Sequence, residues 1–206
     1  MISFSPNMLK TFEQCPRKYF LRYVENISAP QKTTIFEKGK KIHALAHYYL
    51  RGDDIDKLEK TLNEEEFKVW EVLKSNEYLG KTYVNSEYEI MCKLEDFWIG
   101  GRLDALVRDK NNYYILDYKT GAIPKDPEYD YQTMVYPLAV KKLYADAESI
   151  TFVYIDLKQN KNHIIKLTPE LQGKYTDKIT KICRTIKESK NFEKTDCKNC
   201  EYTKIC

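Results

Sequence analysis

No stretch of this chain approaches the roughly 20 consecutive apolar residues that a helix needs to cross a bilayer. The N-terminal segment also lacks a basic region followed by an apolar one and a cleavage site, so the expected location is the cytosol, with no membrane partner. Glycine and proline are scarce at seven each, and no repeat or low-complexity linker is present, which excludes a disordered or repetitive chain. Charge of one sign is lacking too. The formal net charge is +3, too small by itself to establish a polyanionic partner. What charge there is falls unevenly: residues 53–66 are mostly acidic, whereas residues 158–206 hold twice as many basic as acidic side chains. Such blocks are usually solvated faces.

At 206 residues the chain is long enough for a substantial core and is expected to form one domain spanning 1–206. Ser5-Pro6 gives a helix start, a capping hydroxyl before a proline suited to the first helical position. Helical periodicity follows from about Thr34 to Leu50, a segment that also carries Gly39, His43 and His47. Residues 53–79 read as an acidic amphipathic helical region with Leu58, Leu62, Phe67, Trp70 and Leu73 turned inward. The period then changes from helical to alternating, predicting strands near 82–92, 96–108 and 112–118. A helix over about 129–144, strands at 150–157 and 162–167, and a long final helix complete the chain. The implied fold class is α/β, a mixed central sheet flanked by helices.

Six cysteines in a reducing compartment favour metal ligation over disulfides. Cys197, Cys200 and Cys206 form C-x2-C-x5-C, and a tail this short buries too little apolar area to order itself without a staple. Four thiolates serve an iron-sulfur cluster or a tetrahedral zinc, and Cys15 is the natural fourth ligand. Cys92 and Cys183 fall on apolar faces and read as core thiols.

The candidate chemistry lies in Tyr113-Tyr114-Ile115-Leu116-Asp117-Tyr118-Lys119-Thr120-Gly121. Asp117 and Lys119, two apart, point the same way at a strand end, and Asp104 sits in the strand before. If the two strands form a hairpin turning near Lys110-Asn111-Asn112, Asp104 and Asp117 can share a divalent cation. Such an ion neutralises phosphoryl oxygens and makes water nucleophilic near neutral pH. Glu87 and Glu89 are acids of uncertain aim on the preceding strand, Glu89 the one that could reach the site. Gln132 and Tyr136, four apart on one helical face, can reach one DNA segment or hold the site residues. Arg17, Lys18 and Arg22 could track a phosphate backbone, with tyrosines available to stack on bases.

Gly101-Arg102-Leu103-Asp104, then Leu116-Asp117-Tyr118-Lys119-Thr120-Gly121, then Gln132-x3-Tyr136, resembles the signature of RecB-like PD-(D/E)XK nucleases. With Cys15 and the terminal C-x2-C-x5-C, the resemblance is to the iron-sulfur members, above all the stand-alone CRISPR-associated exonucleases of antiviral defence. It implies a restriction-endonuclease-like core of order αβββαβ within residues 34–190, after a helical insert. Residues 1–30 and 190–206 would form a cysteine clasp joining the chain ends. Asp104, Asp117 and Lys119 would be catalytic, and the metal ligands would be His43, Asp104, Asp117 and the Tyr118 carbonyl. Cys15, Cys197, Cys200 and Cys206 would hold a 4Fe-4S cluster, with zinc the alternative, and Gln132 and Tyr136 would position substrate. The implied cofactor is Mn2+ or Mg2+, and the implied partners are single-stranded DNA and a CRISPR integrase. A free-standing or phage-borne repair nuclease is the nearest other reading, and a non-catalytic DNA-binding adaptor is the reading from another class.

Overall fold

The computed structural model describes residues 3–29, 33–195, 200–203 and 205–206, without the side chains of 33–38. A six-stranded mixed sheet forms its centre. Strand β1 (Ser3–Phe4) precedes helices α1 (Pro6–Gln14), α2 (Pro16–Tyr19) and α3 (Thr33–Arg51), with a π-helical turn at Phe20–Val24. Short α4 (Asp56–Glu59) and α5 (Glu64–Lys74) lead into β2 (Thr82–Leu94), β3 (Phe97–Asp109) and β4 (Asn112–Lys119). Helix α6 (Tyr131–Leu143), β5 (Ser149–Asp156), β6 (Lys161–Lys166) and α7 (Pro169–Glu188) follow. Among the described residues no helix is long and apolar enough to cross a membrane.

Local chemistry explains the element ends. Ser5 accepts from the Met8 N–H and Pro6 occupies the first turn of α1, as the sequence predicts. Cys15 is extended and breaks α1 from α2, which starts at Pro16. Asn63 and Glu66 form a capping box on α5. The acidic region departs from its predicted inward face: Trp70 and Leu73 are buried, but Leu58 and Phe67 are exposed. The cause is the break between α4 and α5, which resets the helical phase so that Glu66, Trp70 and Leu73 share the inward stripe.

The topology leaves an opening in the middle of the sheet. β2 runs antiparallel along almost all of β3, joined by the tight turn Glu95-Asp96. On its other edge β3 is shared: β1 pairs in parallel at Ser3↔Trp98 and Phe4↔Ile99, while β4 pairs antiparallel from Ala105↔Leu116 to Asp109↔Asn112. Residues 100–104 lie between those two partners. β5 then runs parallel to β4, with Asp117↔Tyr154 and Lys119↔Asp156 in register. One apolar core, including Leu9, Phe12, Ile115, Met134, Phe152 and Ile179, joins the sheet to α1, α6 and α7. A second, including Ile42, Leu45, Trp70, Leu116, Tyr118 and Val153, joins it to α3 and α5.

Gly100 marks a close strand approach, because a Cβ there would stand 2.0 Å from the Ile90 carbonyl oxygen. Gly100→Ala is therefore expected to force β2 from β3 and cost about 1–3 kcal/mol. Thermal melts check this, and an unchanged melting temperature would refute it.

Candidate active site

Three acids form one row across three strands. Glu87 falls between the register pairs Ser86↔Ala105 and Tyr88↔Leu103, which sets it opposite Asp104. Asp104 in turn stands one step beyond Ala105↔Leu116, opposite Asp117, where β3 and β4 cease to pair. In place of a ladder bond at that point, the Tyr118 N–H donates to Asp104 Oδ2 at 2.9 Å. The site thus occupies a split in the sheet, open to helices from both layers.

His43 enters from α3, whose Ile42, Leu45, Ala46 and Leu50 are buried at helical spacing. Its Nε2 lies 3.1 Å from the Tyr118 carbonyl oxygen and its Nδ1 3.4 Å from Asp104 Oδ1. Glu87 Oε1 is 3.9 Å from the same Nδ1. One ligating atom each from His43, Glu87 and Asp104 lies within 4.8 Å of the others, a grouping suited to a cation. Burial pushes the His43 pKa down, but the Asp104 carboxylate, the Asp117 charge and the Tyr118 carbonyl outweigh it and hold the imidazole above its ordinary value.

From the other layer, α6 brings Gln132. Its Nε2 donates to Asp117 Oδ1 at 3.0 Å, and Lys119 Nζ donates to its Oε1 at 3.1 Å. The first turn of α6 is fixed by Asp130, which accepts from the Gln132 N–H at 3.0 Å and pairs with Lys10 at 2.7 Å. Lys119 Nζ also stands 2.7 Å from Asp117 Oδ2 as an ion pair. Beyond that ion pair the oxygen has no further partner among the described residues. Asp117 is only 4 % exposed, and burial and the Asp104 charge raise its pKa to about 6 against the pull of Lys119 and His43. Asp117 is therefore a carboxylate whose ionised form gains from an added cation. One imidazole, several carboxylate oxygens and a backbone carbonyl fit a divalent ion. Tyr136 is buried, and its hydroxyl donates to the Arg102 carbonyl at 3.0 Å.

Of the residues singled out in the sequence, His43, Asp104, Asp117, Tyr118, Lys119 and Gln132 are brought together. Tyr136 reaches the backbone of the segment carrying Asp104. Of the two uncertain acids it is Glu87 that faces the site, with a left-handed φ of 48° that departs from regular strand geometry. Counting back across the Glu95-Asp96 turn places Glu87 opposite Asp104, a signal that strand alternation alone does not supply.

The cysteines form a separate region. Cys15 is buried, Cys200 and Cys206 are partly exposed, and Cys197 lies outside the described residues. The C-terminal segment packs on the N-terminal one: the Arg17 N–H donates to the Glu193 carbonyl at 3.0 Å, Thr195 Oγ1 to the Gln14 carbonyl at 2.7 Å, and Tyr202 Oη to the Ile27 carbonyl at 2.8 Å. Lys18 and Arg22 face Glu201 at 3.0 and 4.0 Å, so these two cations tie the tail down. Burial raises the Cys15 pKa, yet hydrogen bonds from Thr195, Lys18 and Arg17 bring it below its ordinary value, an environment that suits a thiolate ligand. Cys92 and Cys183 are buried, and desolvation pushes Cys183 up to about 12, as for inert core thiols.

Comparison with known proteins adds three findings. The family described as the PD-(D/E)XK nuclease superfamily matches residues 3–206. The CRISPR-associated exonuclease Cas4 of Francisella tularensis subsp. novicida (strain U112) is 23% identical over 209 residues, covering 100% of this chain and 94% of the relative. A crystal structure of a candidate exonuclease from Eubacterium rectale aligns with a TM-score of 0.61 at 15% identity, covering 98% of this chain and 88% of the other.

Proposed function

The chain belongs to the PD-(D/E)XK nuclease superfamily, and on that premise we propose that it is a metal-dependent deoxyribonuclease trimming single-stranded DNA ends. Exonuclease action predominates, with some endonuclease cutting, and the residues from 1 to 206 act as one nuclease unit. The observation that carries this reading is the closed set of Asp117, Lys119 and Gln132 beside the His43, Glu87 and Asp104 group. A binding adaptor has no need of a buried carboxylate whose ionisation burial opposes.

His43, Glu87, Asp104, Asp117 and the Tyr118 carbonyl would hold Mn2+ or Mg2+, manganese preferred because an imidazole is among the donors. When bound, the ion supplies charge neutralisation on the phosphate and an activated water. Lys119 keeps its ammonium at the reacting centre, where it orients the attacking water and stabilises charge that develops in the transition state. Gln132 holds Asp117 through one end of its amide and Lys119 through the other, so acid and base keep a fixed separation. Tyr136 acts on the backbone of β3 and thereby on the placement of Asp104. An end-labelled single-stranded oligonucleotide with Mn2+ is expected to shorten stepwise. DNA left uncut, or cutting that survives EDTA, would overturn the proposal.

Cys15, Cys197, Cys200 and Cys206 are proposed to hold a 4Fe-4S cluster that fastens the chain ends. Anaerobically prepared protein is expected to be brown, and Cys15→Ala to lose the broad visible absorption and lower the melting temperature. Colourless protein with stoichiometric zinc would replace the cluster by zinc. The similarity to a CRISPR-associated exonuclease along most of its length supports a role in spacer acquisition, as a prespacer-processing partner of an integrase.

A further inference from the structure

Arg102 is the side chain of this region that the proposed chemistry leaves without a task. It lies on β3 two residues before Asp104, about 7 Å along the strand. Its backbone is pinned, since Tyr136 Oη donates to its carbonyl at 3.0 Å. A Cβ on the preceding Gly101 would stand 3.0 Å from that same hydroxyl, so the phenol fits against the bare backbone. The side chain is held at Nε alone, 3.3 Å from the Glu87 carbonyl and 3.2 Å from Glu87 Oε2. The two terminal nitrogens have no hydrogen-bond partner among the described residues, and the side chain is 65% exposed.

Glu87 is therefore shared. One carboxylate oxygen faces Arg102 and the other faces His43 in the candidate cation group. A site built on a row of three acids repels a phosphodiester, so a strand approaching it needs a cation at the mouth. A guanidinium fixed at Nε and free at its outer nitrogens presents the planar fork that binds phosphate oxygens in pairs.

We propose that Arg102 is a substrate-binding residue, receiving a backbone phosphate of the nucleic acid strand next to the linkage being cut, with Glu87 aiming it. This rests on the nuclease reading above and deepens it. Arg102 contacts substrate directly and is not a support for the metal ligands.

The test measures binding of a fluorescein-labelled oligothymidylate by anisotropy in EDTA across a salt series, beside Mn2+ binding by electron paramagnetic resonance without DNA. Arg102→Ala is expected to weaken DNA binding about tenfold and to lower the salt slope by about one, with Mn2+ affinity unchanged. Glu87→Gln is expected to do the opposite, keeping DNA affinity and weakening Mn2+. Unchanged DNA affinity and slope in Arg102→Ala would overturn the proposal. So would a joint loss of DNA and Mn2+ binding in Arg102→Ala, since that marks the pair as structural. A wild type that binds DNA and cuts it in Mn2+ while Arg102→Ala binds equally well removes only this inference. A wild type that does neither removes the nuclease reading as well.

Discussion

Lys119→Ala is expected to slow cleavage of a labelled single-stranded oligonucleotide by about 10²–10³-fold, the usual cost of removing one stabilising donor from a reacting centre. The ammonium stands 2.7 Å from Asp117 and 3.1 Å from Gln132, so it is held in place before any substrate arrives. Its removal leaves the strand intact, because Lys119 is the last residue of β4 and the ladder to β5 is made by backbone. The fold should survive, DNA binding should fall little, and the loss should appear in kcat more than in KM. Asp117→Ala, measured beside it, should lose at least as much. If either variant cut at the wild-type rate, the activity would belong to another site or to a contaminant.

Asp117 should also set the acid-base behaviour of the metal-free protein. Its pKa is raised from 3.8 to about 6, so between about pH 4 and pH 6 the folded chain holds a proton that the unfolded chain has released. Stability contributed at this residue therefore falls as pH rises through that window and stays low above it. The raised pKa of His43 acts in the same sense, giving stability below 6.5 that is lost as pH climbs through its folded value. Asp117→Asn keeps an oxygen for the Gln132 amide and removes the buried charge. In EDTA at pH 8 it should be more stable than wild type by about 1–3 kcal/mol, with the difference shrinking towards pH 4. Added Mn2+ should raise the melting temperature of wild type and much less that of the variant. A variant less stable than wild type at pH 8, or a difference that does not vary with pH, would show that burial of this carboxylate carries no strain.

Much of the architecture is legible in the order of residue types along the chain. Alternation marks β2, which turns one face to a core, whereas β3 and β4 are covered on both faces and are marked instead by their β-branched and aromatic content. Capping chemistry at Ser5 and Thr168 likewise sets where helices begin. The acidic region departs from its pattern at Leu58 and Phe67 because a break in the helix resets phase, and a sum over a window cannot see where the break falls. Alternation puts Glu87 and Glu89 on one face and cannot choose between them, whereas the hairpin register places Glu87 opposite Asp104. The anchoring of the tail by Glu201 and Tyr202 has no periodic signature, being made between segments far apart in the chain.

By itself the sequence determined the inventory: which acids, base, imidazole and thiols exist, and that Asp117 and Lys119 share one side of a strand, since spacing along a backbone is a local property. Only the tertiary structure decided that β3 and β4 part at Asp104, that His43 meets the carbonyl of a residue 75 positions away, and that Gln132 bridges acid and base. Those contacts come from helices packing on opposite faces of one sheet, and their positions are set by how the two cores fill.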